Sequence, residues 1–207
     1  MPERKFVAPD VERGLWDRGL RLVAGVDEVG MGPLAGPVVA AAVVFREGPL
    51  PDGIADSKRL TERARERAAA AIRACATGIG IGVVDPAEVD RLNVYQAGLR
   101  AMRLAVTALP DAPEHVLVDG RVIPELGIPQ ERYVGGDARV YSIAAASIVA
   151  KVHRDALMRQ LDSVYPGYGF RRHVGYATRE HLQALQRLGP TPIHRRSFAP
   201  CAAAERP

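Results

Sequence analysis

Leu22-Val23-Ala24-Gly25-Val26-Asp27-Glu28-Val29-Gly30 sets two adjacent carboxylates inside an otherwise apolar run. Residues 21–30 read as a buried strand ending in glycine, and residues 36–46 (GPVVAAAVVFR) as a second apolar strand. The link between them, Met31-Gly32-Pro33-Leu34-Ala35, is short, which predicts an antiparallel pair. Burying a charged pair costs on the order of several kcal/mol unless something compensates, and a divalent cation is the natural compensation. The competing reading is a strand-end pair that faces solvent. Neighbouring side chains on a strand point to opposite faces. Asp27 and Glu28 therefore both reach one metal pair only if the strand twists or bulges. Otherwise Glu28 acts differently, for instance through its carbonyl, and Asp27 is the expected side-chain ligand.

Outward from this stretch, residues 61–76 form an Ala/Arg/Glu-rich helix with Gly78 as its expected stop. Gly78 to Val84 reads as a Gly-rich third strand, and Asn93 to Leu109 as a helix closed by Pro110. His115 to Val118 is a short strand ending at Asp119-Gly120, and Arg132 to Val134 another, before Gly135-Gly136-Asp137. Ser142 to Leu161 is helical in composition, and residues 163–176 read as a loop. Thr178 caps a last helix, 179–188, which Gly189-Pro190 ends, and Ala202 to Pro207 is expected to fray. Strands first, then alternating helices and strands, then a helical tail imply an α/β fold with a mixed sheet flanked by helices. The chain is expected to be a single domain over residues 1–207. Its stretch from about 140 to 200 would form a helical, basic C-terminal extension.

Asp119 repeats the pattern of Asp27, since Val116-Leu117-Val118 is a buried run with the acid at its end. Carboxylates at the ends of neighbouring strands converge in open α/β sheets. Asp137 follows two glycines that permit a close backbone approach. Alone, Asp119 is also readable as a turn residue, and Asp137 as a cap for the following helix. Together the four acids resemble a hard-metal site, because all-oxygen ligation without Cys or His suits Mg²⁺ or Mn²⁺ rather than zinc. Gly30-Met31-Gly32-Pro33-Leu34-Ala35-Gly36 follows directly and lacks the Gly-Lys-Ser/Thr ending of a nucleotide-cradling loop. It reads either as a tight hairpin turn or, beside Asp27, as a substrate contact. Tyr165, Tyr168 and Tyr176 flank Arg171, Arg172 and His173, an arrangement that suits stacking on sugar or base while cations hold phosphate. For Tyr165 and Tyr168 the favoured reading is anchorage of a loop on the core. Lys58 and Lys151 are candidate phosphate contacts, with a solvated surface role as the alternative.

The 207 residues are 47% apolar and 25% charged, an ordinary globular composition. The longest strongly apolar stretch, Pro37 to Phe45, is too short to span a bilayer, and the N-terminal Met1-Pro2-Glu3-Arg4-Lys5 is charged. A soluble, cytoplasmic monomer with no membrane contact is expected. Cys75 and Cys201 lack metal-site spacing. The net charge of +4 is uneven: residues 1–138 hold 17 Lys/Arg against 20 Asp/Glu, and residues 139–207 hold 11 against 4. A basic C-terminal third suggests that a polyanion lies along one end, with a solvated basic surface as the alternative.

The stretch from Val23 to Gly30, with Gly32-Pro33-Leu34-Ala35-Gly36-Pro37, resembles the start of bacterial ribonuclease HII, the type 2 RNase H family. The resemblance continues through Asp56-Ser57-Lys58, Leu92-Asn93, Val116 to Gly120, Gly136-Asp137, Ser142 to Lys151 and Arg154-Asp155. It then covers Tyr165 to Phe170, His173 to Tyr176 and Gly189 to Phe198, so that it spans about residues 20–200. It implies an RNase H-like fold with a C-terminal helical extension. It implies endonucleolytic cleavage of RNA in RNA–DNA hybrids and at single ribonucleotides embedded in duplex DNA, leaving 3′-hydroxyl and 5′-phosphate ends. By match of motif, Asp27, Glu28, Asp119 and Asp137 take the catalytic positions, holding two divalent metal ions, Mg²⁺ or Mn²⁺. Gly30-Met31-Gly32 falls where the family reads the ribose 2′-hydroxyl, and Tyr176 falls on the tyrosine that packs on the neighbouring deoxyribose. Met31 replaces a basic residue of the family pattern, and Gly135 stands where many members have lysine. The chemistry expected is two-metal hydrolysis with Asp27 bridging and no histidine base. The competing functions are a non-catalytic hybrid-binding module, which would lack one or more of the acids, and a DNA resolvase, which would cut an all-DNA duplex.

Overall fold

The structure, a computed structural model, describes residues 6–204. The charged Met1–Lys5 stretch and residues 205–207, the outer half of the tail read as frayed, lie outside the described residues. The strands are β1 (Val23–Val29), β2 (Val38–Phe45), β3 (Gly78–Val84), β4 (His115–Asp119) and β5 (Gln130–Tyr133). The helices are α1 (Asp10–Trp16), α2 (Glu62–Cys75), α3 (Pro86–Leu92), α4 (Val94–Thr107), α5 (Tyr141–Val164), α6 (Phe170–His173), α7 (Arg179–Leu188) and α8 (Ala199–Ala204). One sheet runs in the order β3-β2-β1-β4-β5. The β1–β2 and β2–β3 pairs are antiparallel, and the β1–β4 and β4–β5 pairs are parallel. The mixed sheet expected from the element order is what forms.

β1 is the central strand and is buried on both faces, which explains its near-continuous apolar run. Its register with β2 is unbroken from Val23 opposite Phe45 to Val29 opposite Val39, so no bulge separates Asp27 from Glu28. The alternation divides the core cleanly. Val23, Val39, Ala41, Val43 and Leu117 face α2 and α5, whereas Ala24, Val26, Ala40, Ala42, Val116 and Val118 face α4. Asp27 shares the parity of Val23 and Glu28 that of Val26, so they leave the strand on opposite faces.

The glycines of β3 have a steric reason. A Cβ on Gly82 would lie 2.0 Å from the Ala101 carbonyl oxygen, and one on Gly80 equally close to that of Ala105. Only a strand without side chains there lets α4 lie this near the sheet. On the other face α5 crosses β1 and β2, and residues Tyr141–Ala150 are buried throughout. The helical C-terminal part is therefore rooted in the sheet, and α6, α7 and α8 gather beyond it around Tyr168, Phe170, Ala184 and Leu185.

Several boundaries depart from expectation. α2 ends at Cys75 with Ala76 already extended, so the helix stops before Gly78, which opens β3 as expected. α1 and α3 were not expected, and the loop read over residues 163–176 contains the short α6. Ala202 and its neighbours form α8, pinned by the buried Cys201, rather than fraying. Asp137 does not cap α5. The Ser142 N–H at that helix start donates instead to Glu12 Oε1 of α1, at 2.7 Å.

Candidate functional site

The parallel pairing of β1 and β4 ends at Val26 opposite Val118. One residue further along each strand stand Asp27 and Asp119, side by side at the sheet's carboxyl edge. Asp27 is 5% exposed. One of its carboxylate oxygens accepts the Glu28 N–H at 2.8 Å, and Ser147 of α5 also hydrogen-bonds it. Asp119 Oδ1 accepts the Gly136 N–H at 2.6 Å, which ties the end of β4 to the one-turn 3₁₀ helix Gly136–Ala138 carrying Asp137. Asp137 is buried, and its Oδ2 accepts from Lys58 Nζ at 2.9 Å.

Burial pushes the Asp27 carboxyl well above the usual range, and the charges of Glu28, Asp119 and Asp137 push it further. Glu28 is raised by burial and by Asp119. Asp119 is raised by burial, partly offset by the Gly136 N–H, and again by Asp137. Lys58 moves up because it donates to Asp137. The four sequence-predicted acids thus share one electrostatic neighbourhood. They are not a closed cage: among the described residues no three His, Cys, Asp or Glu side chains are gathered tightly enough to hold an ion. Glu28 leaves β1 by the opposite face, Asp137 is drawn to Lys58 and Asp119 to Gly136. A set of oxygen donors whose mutual repulsion raises their own proton affinity still fits a hard divalent cation, which would relieve that repulsion.

Gly30 has φ +93°, a left-handed conformation, and a Cβ there would strike the Arg154 side chain at 2.4 Å. The loop it opens is more than a hairpin turn, because the C-terminal segment stitches it down. Leu34 N–H donates to the Gly175 carbonyl, Gly36 N–H to that of Ile193, and Arg195 N–H to that of Leu34. The fully buried Arg195 side chain donates to the carbonyls of Gly30, Met31 and Gly36 at 2.6–3.2 Å. The equally buried Arg154 donates to those of Ala35, Pro37 and Val174. Tyr176 is 43% exposed, and its ring edge lies 3.8 Å from where a Cβ on Gly32 would stand. Tyr176 and the glycine loop are therefore neighbours.

Met31 turns its thioether onto α4 at Gly98, beside the Glu28 side chain. It joins Leu99, Met102 and Tyr95 around a cavity of about 220 Å³ that also reaches Asp119. Lys151 is not a free cation, since it pairs with Asp155 at 2.8 Å in a half-buried network with Arg65. Tyr168 is buried and stacked on Phe170, and Tyr165 packs in the same cluster, so both anchor the core.

Residues 24–201 match the model of the Ribonuclease HII family. The chain belongs to the ribonuclease HII family. The ribonuclease HII of Anaeromyxobacter sp. is 57% identical over 91% of this chain and 60% of its own length. That of Geobacillus kaustophilus is 55% identical over 91% of this chain and 72% of its own. The chain thus spans about three fifths to three quarters of these relatives. The ribonuclease H2 of Pyrococcus horikoshii superposes with a TM-score of 0.76 at 27% identity, covering 89% of this chain and 97% of that one. The ribonuclease HII of Archaeoglobus fulgidus, solved as a complex with PCNA, gives 0.68 at 25% identity, covering 84% and 93%.

Within this ribonuclease HII chain, three residues around the site escaped the sequence reading. Ser147 holds Asp27 and bonds Ser57 Oγ at 2.9 Å, linking the Asp56-Ser57-Lys58 segment to the acids. A lone serine in the Ala-rich run 144–150 was its only signal. Arg154 and Arg195 looked like part of a basic surface, because a fully buried arginine is rare enough not to be expected. Among the described residues no helix is long and apolar enough to cross a membrane.

Proposed function

We propose that this chain is a metal-dependent endoribonuclease that hydrolyses RNA in RNA–DNA hybrids and at single ribonucleotides embedded in duplex DNA. The products carry 3′-hydroxyl and 5′-phosphate ends, and the cellular role is removal of misplaced ribonucleotides and RNA primers. One observation carries the reading: Asp27 and Asp119 stand one residue past the last parallel pair of β1 and β4, and Asp27 feels the charges of Glu28, Asp119 and Asp137 from within a buried setting.

In this reading Asp27, Asp119 and Asp137 would hold two divalent cations, Mg²⁺ or Mn²⁺, while Glu28, whose side chain leaves an unbulged strand by the other face, would contribute through its carbonyl and its nearby charge. Bound there, such ions would supply the Lewis acidity that activates water at neutral pH and takes up charge on the departing 3′-oxygen. The chain's own groups do the positioning. Ser147 and the Glu28 N–H orient the Asp27 carboxylate. Lys58 steadies Asp137 and, being 79% exposed along its side chain, brings positive charge to the rim where a phosphodiester would lie. Arg195 turns the carbonyls of Gly30 and Met31 inward and so fixes the Gly30-Met31-Gly32 backbone that would sense a 2′-hydroxyl. Tyr176 beside Gly32 offers a flat face to the adjoining deoxyribose. Lys151, tied to Asp155, supports the substrate side only through that network.

The test is cleavage of a duplex with one embedded ribonucleotide in Mg²⁺ by the wild type and by Asp27→Asn. Loss of cleavage by at least about a hundredfold is expected for removal of a carboxylate that would hold the ions. Near-normal activity would defeat the assignment, and equal cutting of an all-DNA duplex would defeat the ribonuclease reading.

A further inference from the structure

Behind Tyr176, three buried histidines are packed ring to ring. His173 stacks on His181 at 4.5 Å between centroids, and His181 Nε2 lies 3.1 Å from His194 Nε2. Their partners fix where every proton sits. The Thr191 backbone N–H can only donate, and it points at His194 Nδ1 at 2.9 Å; the Thr191 hydroxyl, 2.8 Å from the same nitrogen, can turn its proton there too, so Nδ1 is the acceptor. A neutral His194 therefore carries its proton on Nε2 and donates it to His181 Nε2. His181 must then hold its own proton on Nδ1, which faces the Tyr176 carbonyl at 2.9 Å. The direction is the same at each link, from Thr191 through both imidazoles to Tyr176. His173 is fixed in parallel: Nδ1 accepts the Gly175 N–H at 3.2 Å, and Nε2 faces the Tyr168 carbonyl.

The turn they clamp is strained. Val174 has φ +44° and ψ +35°, a left-handed conformation that a β-branched residue rarely adopts. Arg154 holds its carbonyl at 2.9 Å. Gly175 follows at φ +90°, where a Cβ would lie 2.3 Å from the Ala35 carbonyl oxygen, and its own carbonyl accepts the Leu34 N–H of the glycine loop. Such strain persists where the surroundings over-determine it, and it concentrates at functional positions.

We propose that His181 and His194 are positioning residues: their one-way hydrogen-bond relay, anchored at Thr191, holds the Tyr176 main chain so that its ring stands over Gly32 before substrate arrives. This rests on the reading of Tyr176 as a sugar contact. The cluster is neutral at ordinary pH, because burial lowers all three histidines and the neighbouring imidazoles and Arg196 lower His194 further. A role confined to core packing would affect stability alone.

The experiment measures KM and kcat at neutral pH in Mg²⁺, on a duplex with one embedded ribonucleotide. The variants are Tyr176→Ala, His194→Phe and the double variant. His194→Phe keeps an aromatic ring, somewhat larger than imidazole, and removes the donor to His181. The expectation is a KM raised roughly tenfold by Tyr176→Ala and about threefold by His194→Phe, with kcat held within about twofold, and a double variant no worse than Tyr176→Ala. A wild-type KM for His194→Phe, or its full factor added on top of Tyr176→Ala, overturns the relay while leaving Tyr176 as a contact. An unchanged KM for Tyr176→Ala overturns the contact and the relay together. ¹⁵N NMR of the wild-type side chains gives an answer that needs no variant to fold. Neutral His181 protonated on Nδ1, with His173 and His194 protonated on Nε2, is expected. Protonation of His181 on Nε2 would sink the idea.

Discussion

Asp27 pits function against stability within a single side chain. Its folded carboxyl has its proton affinity raised by burial and by three neighbouring charges. A raised folded value means that its contribution to stability is present below the unfolded value of 3.8 and is lost as pH rises through the folded one. At neutral pH the ionised group therefore opposes folding of the metal-free chain. Asp27→Asn should raise stability in EDTA at pH 7 by ~1–2 kcal/mol while abolishing cleavage, as expected where a site is built against stability. Urea midpoints of the two proteins decide this, and a lower midpoint for Asn contradicts it. Met31 offers a second test at this scale. Its thioether packs at Gly98, beside Glu28 and Asp119. An arginine there can lay its stem along the same surface and bring its head out beside the acids. Met31→Arg should lower KM on a hybrid duplex, with the slope of log KM against log salt steeper by about one charge. An unchanged salt slope would show that position 31 does not meet phosphate.

At the scale of elements, α5 begins on a borrowed cap. Val140 offers no side-chain bond, and Glu12 of α1 accepts both the Ser142 N–H and its hydroxyl while Oε2 stays unpaired and buried. Burial raises the Glu12 carboxyl. Glu12→Gln keeps the acceptor and removes the charge, so its stability at pH 7 should equal or exceed that of the wild type. Glu12→Ala leaves the helix start unpaired and should cost about 1–3 kcal/mol; equal urea midpoints for the two variants would show that the cap is unimportant. The histidine cluster between α6 and α7 gives the opposite pH sign. Burial and His181 hold His194 down at about 4, below its ordinary 6.5. Its contribution is whole above 6.5 and is lost as pH falls toward 4, on the order of 2–3 kcal/mol. Raised carboxylates pull the other way, so the informative quantity is the difference between wild type and His194→Phe, which should shrink as pH drops from 7 to 4.5. The elements legible in the sequence were those with a period or a stop written into them. β1, β2 and β3 are apolar runs between glycines, and α7 has Thr178 before it and Gly189 after it. α1 hid because two turns give too little periodicity, and α3 because Asn93, at φ 67°, separates it from α4 without a break in composition. The acids were legible because charge in an apolar strand is conspicuous. Arg154 and Arg195 were not, because their partners are main-chain carbonyls distant in sequence, which no side-chain pattern encodes.

Over the whole molecule, the uneven charge now divides in two. Part of the C-terminal surplus is internal, since Arg154 and Arg195 are buried in the glycine-loop anchorage. They raise the net charge without facing a polyanion. Arg171, Arg179 and Arg196 remain exposed on the same segment. The C-terminal helices thus serve the sheet's carboxyl edge chiefly by holding Gly30–Gly36 and Tyr176 in place, and the acids supply the opposite field. That division makes the fold's stability depend on cations. If the four carboxylates bind divalent ions only when the strands that carry them are folded, Mg²⁺ stabilises the chain by RT ln(1 + [L]/Kd), about 2.7 kcal/mol at a hundred times Kd. For a chain of 207 residues that is a rise in Tm of roughly 5–10 °C. Thermal melts in EDTA and in saturating Mg²⁺ read it directly. Asp27→Asn should start from the higher metal-free midpoint argued above and gain much less from Mg²⁺, so that the two curves approach each other as Mg²⁺ rises. Ca²⁺, larger and equally oxygen-seeking, should also raise the wild-type Tm without supporting turnover. Parallel Mg²⁺ responses in wild type and Asp27→Asn would place the ions elsewhere and remove the support that the strand-end acids give to the proposed chemistry.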